Sequence, residues 1–309
     1  MINSIMRNSP VRMMGLSSGM DTDFIVQQSM RAHQVRIDAK IRQRTLIEWR
    51  QQTHNSIRDQ LREFSGSFLS MTSTRSMMAS ANYRDVDSAI NNIKNFIDSY
   101  NVIISRIEGL LREQKKPSER SYLPLTDEEK RSMSEKQIAD WEAIARKGIM
   151  RNDSALENLA RDLRNSFFNE IEGLGLSPSA LGLSTGSFFD KTGGKIFINE
   201  SRLRAELEAD PDKVFSVFTR TGATIAEQGL VSRINSLVSG FISHSGSQNN
   251  TLKGLERSFR NVNERIDRLT LRMFAEEDRL YRQFAAMESA MSRLQSQGDW
   301  FASMLGGFK

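Results

Sequence analysis

Apolar residues return every three or four positions from Phe24 onward. Val26, Met30, His33, Ile37 and Ile41 make a first stripe; after one skipped step, Leu46, Trp49, Thr53, Ile57, Leu61, Phe64, Phe68 and Met71 continue it. A period near 3.6 places such residues on one face of a helix. Asp21 and Thr22 offer acceptors to the free N–H groups at its start, and Asp23 adds negative charge at the positive end of the dipole. The pattern predicts a helical arm over residues 23–71.

Toward the other end the spacing becomes strict. Phe259, Ile266, Met273, Leu280, Met287 and Leu294 recur at intervals of seven. A second column, Leu255, Val262 and Leu269, runs between them and turns polar at Glu276 and Gln283. Two apolar columns separated by arginine and glutamate describe a coiled-coil strand, in which an occasional polar column residue fixes register. Met273, Met287 and Met291 read as seam residues of an interface able to repack. Each arm would extend about 70 Å at 1.5 Å per residue. An amphipathic helix of that length needs a partner, and the two arms can bury their stripes against each other.

The intervening sequence reads as shorter elements. Val86, Ile90, Ile93, Ile97, Tyr100, Ile104, Ile107 and Leu111 share a helix face that ends before Pro117. Thr126 and Glu129 have capping-box spacing and predict one helix carrying Ile138, Trp141 and Ile144 as far as Gly148. Asp153 caps the next helix, and Asn199 and Asp210-Pro211 start two short ones. Lys195-Ile196-Phe197-Ile198 after a glycine pair predicts a hairpin strand, with Leu181 and Leu183 in its mate.

The expected fold is therefore mainly α: long N- and C-terminal helices paired as a coiled-coil stalk, and a compact helical middle domain containing a small β-hairpin. The division is a flexible segment over 1–22, the first arm over 23–71, a connector over 72–85, the middle domain over 86–230, the C-terminal arm over 231–297 and an apolar tail over 298–309. The tail carries Trp300, Phe301, Met304, Leu305 and Phe308 and is expected not to prolong the coil far past Gly298.

Composition removes several function classes. With no cysteine among 309 residues, disulfides, thiolate metal sites and cysteine nucleophiles are excluded. Only 5 prolines suit long helices. No apolar run reaches the roughly 18 residues of a membrane span, and the first residues lack the apolar core of a secretory signal. The net charge of +5 raises the question of nucleic acid. Arg31, Arg36, Lys40, Arg42 and Arg44, however, lack interleaved aromatic platforms and read as a solvated helix face.

Gly15-Leu16-Ser17-Ser18-Gly19 matches the G-x-S-x-G nucleophile elbow. That elbow needs a preceding strand, which the first fourteen residues do not predict, so a hinge before the first arm is the reading kept. His33, His54 and His244 lack the setting of a triad. His33 and Asp38, like His54 and Asp59, are five apart and do not share a helix face as metal ligands would. No enzyme activity, metal or cofactor is expected.

Several motifs in order carry a resemblance. "GLSSGMDTDFIV" before a helix with "IEWR", then "INNIKNFIDSYNVIISRI", "YLPLTDEEKRSMSEKQIADWEAIARKGIM", "GGKIFINESRLRAELEADPDKVFSVF" and heptads ending in "WFASMLGG" resemble the FliD family of flagellar filament cap proteins. Family members usually carry a large β-rich insertion where this chain has only the residues around 71–85, too few for a head domain.

The resemblance implies a non-enzymatic subunit exported through the flagellar channel. It would form a ring-like homo-oligomer, a pentamer, at the extracellular filament tip, where it would promote flagellin folding and polymerisation. Its partners would be itself, flagellin, hook–filament junction proteins and an export chaperone, with no nucleic acid and no membrane. The expected seam and assembly residues are Ile37, Ile41, Trp49, Ile57, Leu61, Phe64, Leu255, Phe259, Val262, Ile266, Leu269, Met273, Leu280, Met287 and Leu294. Trp300, Phe301 and Leu305 are expected at a tail interface. The competing reading is a coiled-coil adaptor or adhesin without a role in filament growth.

Overall fold

The computed structural model describes residues 19–77, 85–185, 194–243 and 247–306, with side chains described except at 67–77, 247–248 and 306. Gly15 to Ser18, Phe68, Met71, His244 and Phe308 therefore fall, wholly or in their side chains, outside the described residues. The fold is mainly α, with nine α-helices and one two-stranded antiparallel hairpin among the described residues. The chain divides into two compact units, Thr45–Phe259 and the described part of Met1–Arg44 with Arg260–Lys309. Helices α1 (Thr22–Met77) and α9 (Ser247–Gly306) each contribute to both.

The unit Thr45–Phe259 gathers its core around α2 (Val86–Arg112). Asp85 starts that helix by accepting from the N–H groups of Asp87 and Ser88. Its stripe, Ile90, Ile93, Phe96, Ile97, Tyr100, Ile104 and Ile107, is buried against Ile57, Leu61 and Phe64 of α1 and the apolar faces of the following helices. Burying each such side chain contributes about 1.5–3 kcal/mol. The ring of Tyr100 packs edge-on against Phe167, with centroids 4.7 Å apart.

The helix expected after Thr126 is two helices. Thr126 does form its reciprocal box with Glu129, but α3 spans only Asp127–Arg131. A second box, Ser134 with Gln137, starts α4 (Glu135–Ala145). Two successive boxes satisfy N–H groups that a continuous helix would have bonded internally, so the chain restarts at Ser134. Trp141 on α4 donates its indole N–H to the carbonyl of Leu123 at 2.8 Å and lies against Tyr122. Gly148 ends this region at φ +74°, where an added Cβ would come within 3.2 Å of the Glu113 carbonyl oxygen.

Asp153 caps α5 (Ser154–Asn165), as its position predicts. The hairpin pairs β1 (Leu183–Thr185) with β2 (Ile196–Ile198), with Leu183 opposite Ile198. Leu181 is not in the strand; it is buried in a short 3-10 turn, Pro178–Leu181, that ends at Gly182 with φ 91°. The other side of β2 is held by α2. Asn101 Nδ2 donates to the Ile196 carbonyl and its Oδ1 accepts the Ile196 N–H, both at 2.8 Å. One side-chain amide thus completes the bonding of a strand residue as a neighbouring strand would.

Asn199 and Asp210 cap α6 (Glu200–Ala209) and α7 (Pro211–Thr219). Helix α8 (Leu230–Ile242) buries Arg233 in its apolar face. The guanidinium is 3% exposed and donates to five carbonyls, those of Ser166, Asn169, Glu170, Ile225 and Ala226, at 3.0–3.1 Å. These carbonyls lie in the turns that follow α5 and precede α8, so one cation satisfies acceptors that the chain's path would otherwise strand. Burial pulls the Arg233 pKa down from its ordinary value.

Candidate functional site

In the other unit the first half of α1 packs against α9. Asp21 caps α1 by accepting the Phe24 N–H at 2.9 Å. Two residues later Asp23 Oδ1 accepts the hydroxyl of Tyr281 at 2.9 Å. Val26 and Ile37 on α1 and Val262 and Ile266 on α9 are buried. Only an antiparallel pairing reconciles that hydrogen bond with burial at 262 and 266, because a parallel one would carry those residues away from α1. The register set by Asp23 and Tyr281 then brings Ile37 level with Ile266 and Ile41 level with Val262. The columns of the heptad are in this way matched by the stripe of the first arm.

The expected seam residues take three different positions. Ile37, Val262 and Ile266 are buried and Ile41, Leu269, Met273, Leu280 and Met287 half-buried within the antiparallel unit. Trp49, Ile57, Leu61 and Phe64 are buried in the unit Thr45–Phe259, and the last three join its hydrophobic cluster beside α2. Leu255 and Phe259 are half-buried in that same unit. The stripe of α1 therefore serves two packings in succession. Its second half is matched by the face of α2 and not by heptads alone.

The third position is the last stretch of α9. In the antiparallel register, α1 begins at Thr22, so α9 runs on past Tyr281 beyond the first turn of α1. The helix continues through Gly298 to Gly306, farther than the glycines suggested. A single glycine inside a helix costs only about 1 kcal/mol, which flanking helix formers offset. Along this stretch Leu294 is 66% exposed, Trp300 54%, Phe301 58%, Met304 56% and Leu305 77%. Trp300 and Phe301 touch edge to face, with centroids 5.0 Å apart. Large apolar side chains gathered at one helix end are the composition of an interface.

Nothing in the described residues resembles a catalytic constellation. His54 is fully buried, and its Nε2 lies 3.0 Å from Asp153 Oδ2, a tie within the interior. His33 is half-buried on the stripe of α1. No cluster of three or more potential metal ligands occurs among the described residues. No described helix is long and apolar enough to cross a membrane.

Comparison with known proteins gives the family. Residues 38–296 match the family described as flagellar hook-associated protein 2 C-terminus. A flagellar hook-associated protein 2 of Halalkalibacterium halodurans is 30% identical over 239 residues, covering 69% of this chain and 44% of that protein. One from Thermotoga maritima is 26% identical over 230 residues, covering 72% of this chain and 34% of that protein. The chain thus spans less than half the length of either relative. With the match extending from the first arm through the heptads, this chain belongs to the flagellar hook-associated protein 2 C-terminus family.

Proposed function

We propose that this chain is a non-enzymatic structural subunit of the bacterial flagellum that assembles with copies of itself at the filament tip and promotes the addition of flagellin. The observation that carries the proposal is the exposed apolar end of α9, from Leu294 to Leu305. Each large side chain left in water forgoes about 1.5–3 kcal/mol of burial, and neighbouring subunits can supply the missing cover. Membership in the hook-associated family supports the flagellar location. A pentameric ring, contacts with hook–filament junction proteins, export through the channel and an export chaperone belong to the same proposal.

The test is removal of the residues after Gln297. Light scattering should give a smaller oligomer for the truncated chain, with an unchanged melting transition for the unit Thr45–Phe259. Cells lacking their own cap protein and supplied with this truncated chain should grow short filaments or none, whereas the full chain should restore length. Normal filaments from the truncated chain would reject the role assigned to this end. An adaptor or adhesin would leave filament length independent of either chain.

A further inference from the structure

A cleft of about 350 Å3 lies between α1, α2 and the end of α4, within the unit Thr45–Phe259. Gln52 and Ser56 come from α1, Arg106 and Leu110 from α2, and Arg146 and Ile149 from the turn after α4. The charges around it are unevenly satisfied. Glu113, the carboxylate on its wall, accepts the Gly148 N–H at 3.0 Å, and Lys147 is paired with Glu119 at 2.7 Å. The two arginines each donate to a neutral group as well. Arg106 Nη2 donates to Ser56 Oγ and Arg146 Nη1 to Gln52 Oε1, each at 3.2 Å. Arg146 has a carboxylate, Glu142, only at 3.8 Å, and its guanidinium lies over the ring of Trp49 at 4.5 Å from the centroid.

Besides accepting these bonds, Gln52 has its amide N–H2 and Ser56 its hydroxyl proton to donate, and each of the two oxygens keeps one further lone pair. Each guanidinium has five N–H donors, and the bonds above use few of them. Arg106 and Arg146 thus bring spare donors and positive charge to a cleft that also holds one carboxylate, Glu113, and a pair of guanidiniums suits an oxyanion. Leu110, Ala143 and Ile149 add an aliphatic wall. A bare inorganic ion gains nothing from such a wall, whereas a carboxylate on a methylene stem buries its stem there. Stacking on Trp49 holds Arg146 in place before any ligand arrives, which reduces the ordering that binding requires.

We infer that this cleft is a docking point for an acidic side chain of a partner polypeptide, with the carboxylate held between Arg106 and Arg146 and its stem against Leu110 and Ile149. It is separate from the apolar end of α9 and does not depend on the role proposed for that end.

The experiment titrates the full chain with a capped Leu-Glu-Glu-Leu peptide in low salt, by calorimetry and by amide shifts at Gln52 and Ser56. The glutamate peptide should bind, and its Gln-for-Glu counterpart should bind at least about tenfold more weakly, as loss of a charge-assisted bond implies. Arg106→Gln should weaken binding by about tenfold, and the pair Arg106→Gln with Arg146→Gln by more. Arg106 is exposed and bonded to Ser56, so its single variant should keep the parent melting temperature and isolate the effect from folding. Ser56→Ala gives a second, milder loss from the opposite wall. Equal binding of the two peptides, or unchanged binding in Arg106→Gln, overturns the inference. So does inorganic phosphate binding as tightly as the glutamate peptide, which would assign the cleft to free oxyanions.

Discussion

His54 of α1 and Asp153 at the start of α5 meet 99 positions apart in sequence, with Nε2 3.0 Å from Oδ2 in the protein interior. The same carboxylate accepts the Leu156 N–H at 3.2 Å, capping α5, and Arg50 Nη2 at 3.2 Å. One side chain therefore both starts a helix and fastens the long N-terminal helix to it. Burial alone would push the Asp153 pKa up. The hydrogen bond and charge of His54, the Leu156 N–H and Arg50 outweigh burial and hold it below its ordinary value.

A carboxyl held low contributes stability above its unfolded-state pKa of about 3.9 and loses it as pH falls through its lower folded-state value. Asp153→Asn should lower stability at neutral pH by about 1–3 kcal/mol and flatten the acid side of the stability curve below about pH 4. Urea midpoints measured across that range check both. An unchanged acid slope in the variant would mean that other carboxyls set it.

Arg233 should not be replaceable by lysine. Lysine keeps the charge but has three donors at one point, and five carbonyls now face the guanidinium. Arg233→Lys should cost about 3 kcal/mol or more, since stranded acceptors each carry about 1–3 kcal/mol of desolvation. Thermal melting of the full chain measures it, and a cost below about 1 kcal/mol would show that water or rearranged backbone fills the gap.

Asn101→Asp should loosen the hairpin even though the side chain stays the same size. The carboxylate can still accept the Ile196 N–H, but it now faces the Ile196 carbonyl without a proton to give. Hydrogen exchange in the amides of β2 should quicken by about tenfold or more, matching a loss near 1.5 kcal/mol. Exchange rates equal to the parent's would refute the bridging role.

Ile266→Asp should unfold the antiparallel unit and spare the other. An unpaired carboxylate in a buried seam costs several kcal/mol, more than a two-helix packing has in reserve. Circular dichroism should lose the helix signal of residues 22–44 and 260–306, while the near-ultraviolet signal of Trp141 and the melting of the unit Thr45–Phe259 persist.

Much of this fold is written in local chemistry that a sequence displays. Asp85, Asp153, Asn199 and Asp210 cap helices where their short acceptor side chains precede apolar stripes, and the heptad residues from Val262 to Leu280 fall along the part of α9 that runs beside α1. What escaped reading depends on distant partners. Thr53 stands in the apparent stripe, yet it is His54 that is fully buried, with Asp153, at the start of another helix, as a polar partner for the buried imidazole. Arg233 interrupts an apolar helix three residues after Leu230, a signal of a buried cation, but its five acceptors come from turns that no periodicity announces. Ser134 and Gln137 do have capping-box spacing, which a lone Thr126 box obscured. The cleft arginines Arg106 and Arg146 look like any solvated helix charge until α1 is seen beside them.

The hydrogen bond from Tyr281 to Asp23 closes a loop of 258 positions. Contacts so distant in sequence form late, since the chain must first surrender the freedom of everything between them. A polypeptide that emerges N-terminus first, from a ribosome or a narrow conduit, therefore presents Val26 and Ile37 long before Val262 and Ile266 exist to meet them. The unit Thr45–Phe259 can condense in that interval, while the opening turns of α1 wait as a bare stripe. Any chain halted before Arg260 keeps that stripe permanently uncovered, an apolar flag by which incomplete molecules differ from finished ones.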